Sequence, residues 1–240
     1  MKQVRFAALC TATVLLAGCG GGTPMPGAAP SQFITGIPAA TNNSVVRLTG
    51  NADSCNQHHH GTGFVVAEDL VITNAHNVAG VSDVGIDGPA TPKMIYGKVV
   101  YFDPNIDLAL IRVPDLNLPA LTIGDNLKDG AEAKLLGYPD GNSQQEFNVI
   151  IVRTFTATTF DIYNTVKLTH EIAEGGLVVL HGDSGGPLID SKGVVHGIVF
   201  GRAPDKVNVG YFLLPEAINY VISQGGSATE ALTTKCTINN

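Results

Sequence analysis

The chain has no tryptophan and only four cysteines, and charged residues make up just 15% of its 240 residues. Lysine and arginine number 14 against 21 aspartate and glutamate, which gives a net charge of −7, and the basic residues form no cluster. Because nucleic-acid binding depends on concentrated positive charge, this balance argues against a nucleic-acid partner. The cysteines lack the paired spacing of a zinc site, and no cofactor motif is present. We therefore expect no metal and no organic cofactor.

No apolar run reaches the roughly 20 residues of a membrane span. The longest, residues 6–17, follows Lys2 and Arg5 and leads into Leu16-Ala-Gly-Cys19. This pattern resembles a bacterial lipoprotein signal, and it predicts removal of residues 1–18 and acylation of Cys19. A plain secretory signal cut elsewhere is the alternative.

The predicted mature chain begins with a segment that is rich in glycine and proline. Residues 19–43 lack the apolar surface for a core and are expected to form a flexible, lipidated tether. Residues 44–240 have the length of one domain. We expect a monomer that is exported and held at the cell envelope, on the periplasmic or outer surface, by its acylated N-terminus in the bilayer.

The four cysteines separate by position. Cys10 falls within the predicted signal and Cys19 would carry lipid, which leaves Cys55 and Cys236. An exported protein meets an oxidising environment, so these two are predicted to form a disulfide.

Short β-branched and apolar runs, separated by Gly, Pro and Asp, recur from Ser44 to Leu214. Such spacing predicts an all-β sandwich or barrel. Only Pro215 to Ser223 has helical spacing of its apolar residues, with Gly225 as a stop.

One serine stands among glycines in the sequence His181-Gly-Asp-Ser-Gly-Gly-Pro-Leu188. Glycine tolerates the dihedral angles of a tight turn, so the N–H groups of Gly182 and Ser184 can converge on one point. Two converging N–H groups form an oxyanion hole, and the motif predicts acyl transfer with Ser184 as nucleophile.

A nucleophilic serine needs a base and a group that orients the base. Thr73-Asn-Ala-His76 offers the base and Asp107-Leu-Ala-Leu offers the carboxylate, with Asp103 as its rival. The resulting order His, Asp, Ser differs from that of subtilisin-like enzymes and of α/β-hydrolases. The three motifs together resemble the chymotrypsin/trypsin family of serine endopeptidases.

This resemblance implies two six-stranded antiparallel β-barrels with a C-terminal helix and an active site in the cleft between them. It implies that His76, Asp107 and Ser184 form the catalytic triad, with protein or peptide substrates. The family pattern favours Asp107 over Asp103, which would turn its loop beside Pro104. Carried over by position, the substrate pocket comprises Val178, His181, Phe200, Gly201 and Gly210. With no acid at its base, a small or apolar residue is expected before the scissile bond.

A closer resemblance links Gly61-Thr-Gly-Phe, Leu136-Gly-Tyr-Pro and Gly197-Ile-Val-Phe-Gly to the protease domain of the actinobacterial periplasmic acid-resistance serine proteases. In that family the loop holding His58, His59 and His60 borders the cleft. These three histidines are expected to be a solvated loop, with a pH-sensitive or metal-prone rim as the alternative.

His181 and Asp183, which flank Gly182, also have predicted roles. His181 is either a pH-sensitive group over the pocket or a passive rim residue. Asp183, whose family equivalent pairs with an N-terminal amine, needs another cation here, and we predict Arg153. A solvent-facing Arg153 is the alternative.

The sequence thus predicts an exported serine endopeptidase that acts through an acyl-enzyme. A catalytically idle binding module with the same fold is the second hypothesis. An esterase is the third and is disfavoured because the nucleophile elbow of α/β-hydrolases is absent.

Overall fold

The computed structural model describes residues 36–230, 232 and 234–237. The predicted signal, Cys10, Cys19 and most of the predicted tether lie outside these residues. The last tether residues are described, and Ala39–Asn43 form a short helix, α1, in which Thr41 is buried. This helix lies on the N-terminal side of the predicted domain boundary at residue 44.

Within the described residues, twelve strands form two closed antiparallel barrels, as predicted. The first barrel has the strand order β1-β2-β3-β6-β5-β4. Its strands are β1 (Val45–Ala52), β2 (Gln57–Ala67), β3 (Leu70–Thr73), β4 (Val84–Gly88), β5 (Thr91–Asp103) and β6 (Leu108–Arg112).

The second barrel has the order β10-β11-β12-β9-β8-β7. Its strands are β7 (Glu132–Gly137), β8 (Gln145–Phe160), β9 (Lys167–Gly176), β10 (Pro187–Ile189), β11 (Val195–Arg202) and β12 (Gly210–Leu213). Short 3₁₀ turns at Asp53–Cys55, Ala75–Val78 and Pro139–Gly141 interrupt the connections.

The strands facing the other barrel are apolar on both sides. In β6, Ala109 and Ile111 join the core of the first barrel, whereas Leu108 and Leu110 join the cluster between the barrels. Alternation along a strand places successive side chains on opposite faces, so both faces are buried here. This arrangement fixes the two barrels against each other and defines the cleft between them.

The second helix, α2 (Pro215–Gly225), follows β12 and is two residues longer than predicted. Proline at its first turn is compatible with helix geometry, since that N–H has no partner within the helix. Ile218 and Val221 are fully buried in the cluster between the barrels. Among the described residues, no helix has the length and apolarity that a bilayer span requires.

Candidate active site

His76 and Asp107 lie on neighbouring connections of the first barrel. His76 belongs to the turn Ala75–Val78 that follows β3, and Asp107 immediately precedes β6, which pairs with β3. The Nδ1 atom of His76 is 2.7 Å from Asp107 Oδ2, and the His76 backbone N–H donates to Oδ1 at 3.0 Å. Asn74 donates to the Asp107 carbonyl at 2.9 Å. One carboxylate oxygen therefore faces the imidazole ring, and the other is held by the His76 backbone.

Burial of His76 lowers the pKa of its imidazole, but the charge of Asp107 and the hydrogen bond that the imidazole donates to it have the larger combined effect. The pKa of His76 therefore lies above its ordinary value. A proton on Nδ1 directed at Asp107 leaves Nε2 as the acceptor, which is the tautomer that a general base requires.

The backbone around Ser184 leaves two N–H groups available. The N–H groups of the residues around them donate to carbonyls: Asp183 to Leu180 (3.2 Å), Gly185 to Val199 (2.9 Å) and Gly186 to Asp183 (2.8 Å). No acceptor among the described residues binds the N–H of Gly182 or Ser184. Gly182 has a φ of 88°, in the left-handed region that glycine adopts without strain. Two free, neighbouring N–H groups are the composition of an oxyanion hole.

His76 and Ser184 line the same two cavities, of about 350 and 280 Å³, in the cleft between the barrels. The groups that sequence analysis placed together therefore share one solvent-accessible space. Among the described residues, no hydrogen bond joins Ser184 Oγ to His76 Nε2. Such bonds are often long without substrate and tighten when it binds.

Comparison with known proteins decides the family. A model of the trypsin-like peptidase domain matches residues 61–198. The chain belongs to this family. It is 36% identical over 219 residues to the serine protease Rv3671c of Mycobacterium tuberculosis, a match that covers 89% of this chain and 55% of the relative. It is 32% identical over 157 residues to the putative serine protease HhoB of Synechocystis, covering 63% of this chain and 36% of that protein. The chain thus spans about half the length, or less, of these curated relatives.

Solved structures agree with the trypsin-like assignment. The crystal structure of the active form of Rv3671c superposes with a TM-score of 0.82 at 33% identity, covering 94% of this chain and 100% of that chain. Its inactive form gives 0.70 at 35% identity, covering 79% and 92%. These matches confirm the resemblance to the actinobacterial enzymes.

The residues predicted for the substrate pocket lie at several places around the cleft. His181 and Gly201 line the 280 Å³ cavity beside Ser184. Val178 does not; its side chain is 43% exposed, and the wall is formed by Val179 and Leu180 instead. Residues 177–180 have no regular secondary structure.

The other two pocket residues lie nearby. Phe200 lines a separate cavity of about 300 Å³ that it shares with His76 and Asp107. Gly210 is buried, and a Cβ there would lie 2.8 Å from Val179 Cγ2, so it supports the wall from behind. The substrate pocket therefore stays a prediction, of which His181 and Gly201 line the cavity beside Ser184 while Val178 and Phe200 do not.

The three consecutive histidines lie on β2 rather than in a loop. His58, His59 and His60 line the 350 Å³ cavity together with His181. Burial, followed by the positive charge of neighbouring groups, lowers the pKa of His59 and His60. Among the described residues, no cluster of three His, Cys, Asp or Glu side chains could hold a metal ion.

Asp183 does not pair with Arg153, so that prediction was wrong. Arg153 donates twice to Glu174, its cross-strand neighbour in β8 and β9, and its guanidinium lies 4.4 Å from the Phe155 ring. Asp183 is fully buried, and it accepts one hydrogen bond at 2.8 Å from the N–H of Leu180. Its other oxygen has no partner among the described residues. Burial, offset by the bond from Leu180 and reinforced by Asp140, raises the pKa of Asp183 to about 6.

Asp103, the rival of Asp107, accepts hydrogen bonds from the N–H groups of Asn105 and Ile106 and so stabilises the turn before Asp107.

The two remaining cysteines, Cys55 and Cys236, come together with a Cα–Cα distance of 6.2 Å. This separation lies within the range of disulfides.

Two residues that the sequence analysis did not predict hold the backbone of Ser184. Asn77 donates to the Ser184 carbonyl at 2.8 Å, and the N–H of Thr62 donates to the same oxygen at 2.9 Å. Asn77 is one residue after His76, yet nothing in the sequence indicated that its side chain reaches the other barrel.

Proposed function

We propose that this chain is an exported serine endopeptidase that hydrolyses peptide bonds through Ser184, His76 and Asp107. The observation that carries the proposal is the juxtaposition in one cleft of the His76–Asp107 pair, the Ser184 hydroxyl and two unpaired N–H groups. Each of these parts serves acyl transfer, and a binding module needs none of them together. The family membership and the 36% identity to a serine protease support the same reading.

In the proposed reaction, His76 Nε2 takes the proton of the Ser184 hydroxyl as its oxygen attacks the substrate carbonyl. The N–H groups of Gly182 and Ser184 hold the negative oxygen of the tetrahedral intermediate. Asp107 keeps the imidazole in its orientation and stabilises the imidazolium. His76 then protonates the leaving amine, and water repeats these steps to release the acid from Ser184.

The acyl side of the substrate would occupy the cavity beside β11. Its walls are Val179, Leu180, Gly201 and Arg202, with no carboxylate among the described lining residues. A basic side chain would have no counter-charge there, which favours a small or apolar residue before the scissile bond. A cleavage profile on a peptide library tests this preference.

The main experiment uses a fluorophosphonate probe and a folded or peptide substrate with the mature chain. The proposal predicts Ser184-dependent labelling and internal cleavage of peptides, both lost in Ser184→Ala. Cleavage of esters alone would support the esterase hypothesis. The absence of labelling and cleavage in the parent would favour a catalytically idle binding module, the alternative with which the missing Ser184–His76 hydrogen bond is compatible.

We also propose the disulfide between Cys55 and Cys236, and export with an acyl anchor on Cys19. The short Cα–Cα distance supports the disulfide, and the lipoprotein-signal pattern that ends in Cys19 supports the anchor. Finding Cys19→Ala still in the membrane fraction would contradict the anchor.

A further inference from the structure

Two side chains of the first barrel bind backbone carbonyls of the second barrel, one in the candidate oxyanion hole and one in the turn beside it. Arg47 and Thr62 are directly opposite each other in the β1–β2 pair. Thr62 Oγ1 donates to the Gly182 carbonyl at 2.6 Å, and Arg47 donates to the Gly141 carbonyl at 2.6 Å. Both acceptors belong to connections of the second barrel.

The Thr62 hydroxyl both donates and accepts a hydrogen bond. It is buried, it donates to Gly182, and it accepts a hydrogen bond from the Tyr138 N–H at 3.0 Å. No other group among the described residues is bonded to the Gly182 carbonyl. Loss of the hydroxyl would leave a buried carbonyl and a buried N–H without partners, which favours rotation of the adjoining peptides.

Arg47 does not contact the oxyanion-hole residues directly but binds the turn next to them. Its guanidinium is held by two bonds to Asp87, at 2.8 and 2.5 Å, and it fixes the turn Pro139–Gly141 through the Gly141 carbonyl. In that turn Asp140 has a left-handed φ of 53°, and its N–H donates to the His181 carbonyl at 2.6 Å.

This last bond sets the direction of one hole donor. In a trans peptide the C=O and N–H point in opposite directions. Because the His181 carbonyl is held on Asp140, the N–H of Gly182 is directed to the opposite side of the peptide. The next carbonyl of the segment, that of Gly182, is held by Thr62. Both peptides that flank the Gly182 Cα are therefore fixed by the contacts described above.

We propose that Thr62 and Arg47 are positioning residues that hold the oxyanion hole in its productive orientation. The first barrel thus supplies the side chains that position the oxyanion hole, in addition to the base His76 and the carboxylate of Asp107. The proposal rests on the proposed function and deepens it, since it assigns the stability of the hole to contacts between the barrels.

The test compares Thr62→Val, which keeps the shape and removes the hydroxyl, with Thr62→Ser, which keeps the hydroxyl. Arg47→Gln is a second variant at a partly exposed position, in case Thr62→Val does not fold. Arg153→Gln is its matched control, because it also loses an arginine–carboxylate pair but contacts no part of the hole. Circular dichroism establishes that each variant is folded.

Three quantities are measured: kcat and KM for a peptide amide, the inhibition constant of a peptidyl trifluoromethyl ketone, and the Kd of the cleaved product peptide in a Ser184→Ala background. Losing one hole donor lowers kcat by about 10²- to 10³-fold. We expect about a 10- to 100-fold fall in kcat for Thr62→Val, since the donor is misdirected rather than removed. We expect about a 3- to 10-fold fall for Arg47→Gln, which acts through one more bond.

The ketone, whose hemiketal oxygen needs the hole, should lose affinity in parallel with kcat/KM, whereas product affinity and KM stay within about threefold. Thr62→Ser and Arg153→Gln should keep parental values. Folded Thr62→Val and Arg47→Gln with parental kcat would overturn the proposal while the parent remains a protease. An equal loss of ketone and product affinity would overturn it in favour of general loosening. A parent with no Ser184-dependent activity would overturn the proposed function and the positioning role together.

Discussion

Replacing Asp183 with asparagine should change how the free energy of unfolding depends on pH. The carboxyl group is fully buried, and its pKa is raised from 3.8 to about 6 by burial. A shift of this size corresponds to about 3 kcal/mol of stability that the parent loses when the group ionises in the folded protein.

The direction in which the free energy of unfolding changes with pH depends on which state of the chain binds the proton more tightly. Below about pH 4, Asp183 is protonated in the folded and unfolded chain, and asparagine is nearly isosteric with it. Between about pH 4 and 6 the unfolded chain releases the proton while the folded chain retains it, so parental stability falls as pH rises. Above about pH 6 both forms are ionised and the loss is complete.

The assay is urea unfolding at a series of pH values from 3.5 to about 8, in a Ser184→Ala background that prevents self-cleavage. The stability of Asp183→Asn relative to the parent should rise by about 3 kcal/mol across this range. Asp190→Asn is the control of opposite sign. Burial acts to raise the pKa of Asp190, but bonds from the N–H groups of Val194 and Lys192 lower it overall. Parallel curves for Asp183→Asn and the parent would refute the reasoning and indicate that a cation neutralises this carboxylate.

The remaining predictions concern the catalytic parts and the proposed disulfide. Asp107→Asn should lower kcat by about 10⁴-fold with a small change in KM, because His76 would adopt the wrong tautomer; steady-state kinetics with a parental rate would contradict this. Gly182→Ala places a Cβ against the Tyr138 carbonyl oxygen at a φ of 88°, and should lower kcat by at least about 10²-fold in a protein that is still folded by circular dichroism. Cys55→Ser should destabilise the chain by at most about 5 kcal/mol, measured by unfolding, and two free thiols in the parent's intact mass would refute the bridge.

Short motifs predict those parts of the candidate site that lie within single runs of the sequence. His76 and Ser184 each lie in a run of residues whose local backbone determines the geometry, and the chain order of the motifs restricted the fold. The barrels followed from the family resemblance, because the apolar runs alone were equally compatible with a sandwich.

Side-chain contacts between strands that are distant in the sequence could not be predicted from short motifs. Arg153 was assigned to Asp183 by charge alone, but strand register places it opposite Glu174. The second strand of the β8–β9 hairpin is Lys167–Gly176. Its first five residues alternate between exposed and partly buried but are mostly polar, so no apolar run marks this half of the strand in the sequence.

The measurement that bears most directly on the central claim is rapid-quench mass spectrometry of the chain during turnover of an activated acyl substrate. The proposed mechanism predicts an acyl adduct on the peptide that contains Ser184, formed far more slowly in a His76→Ala variant. An adduct at another residue, or substrate hydrolysis with no adduct and no dependence on His76, would contradict it.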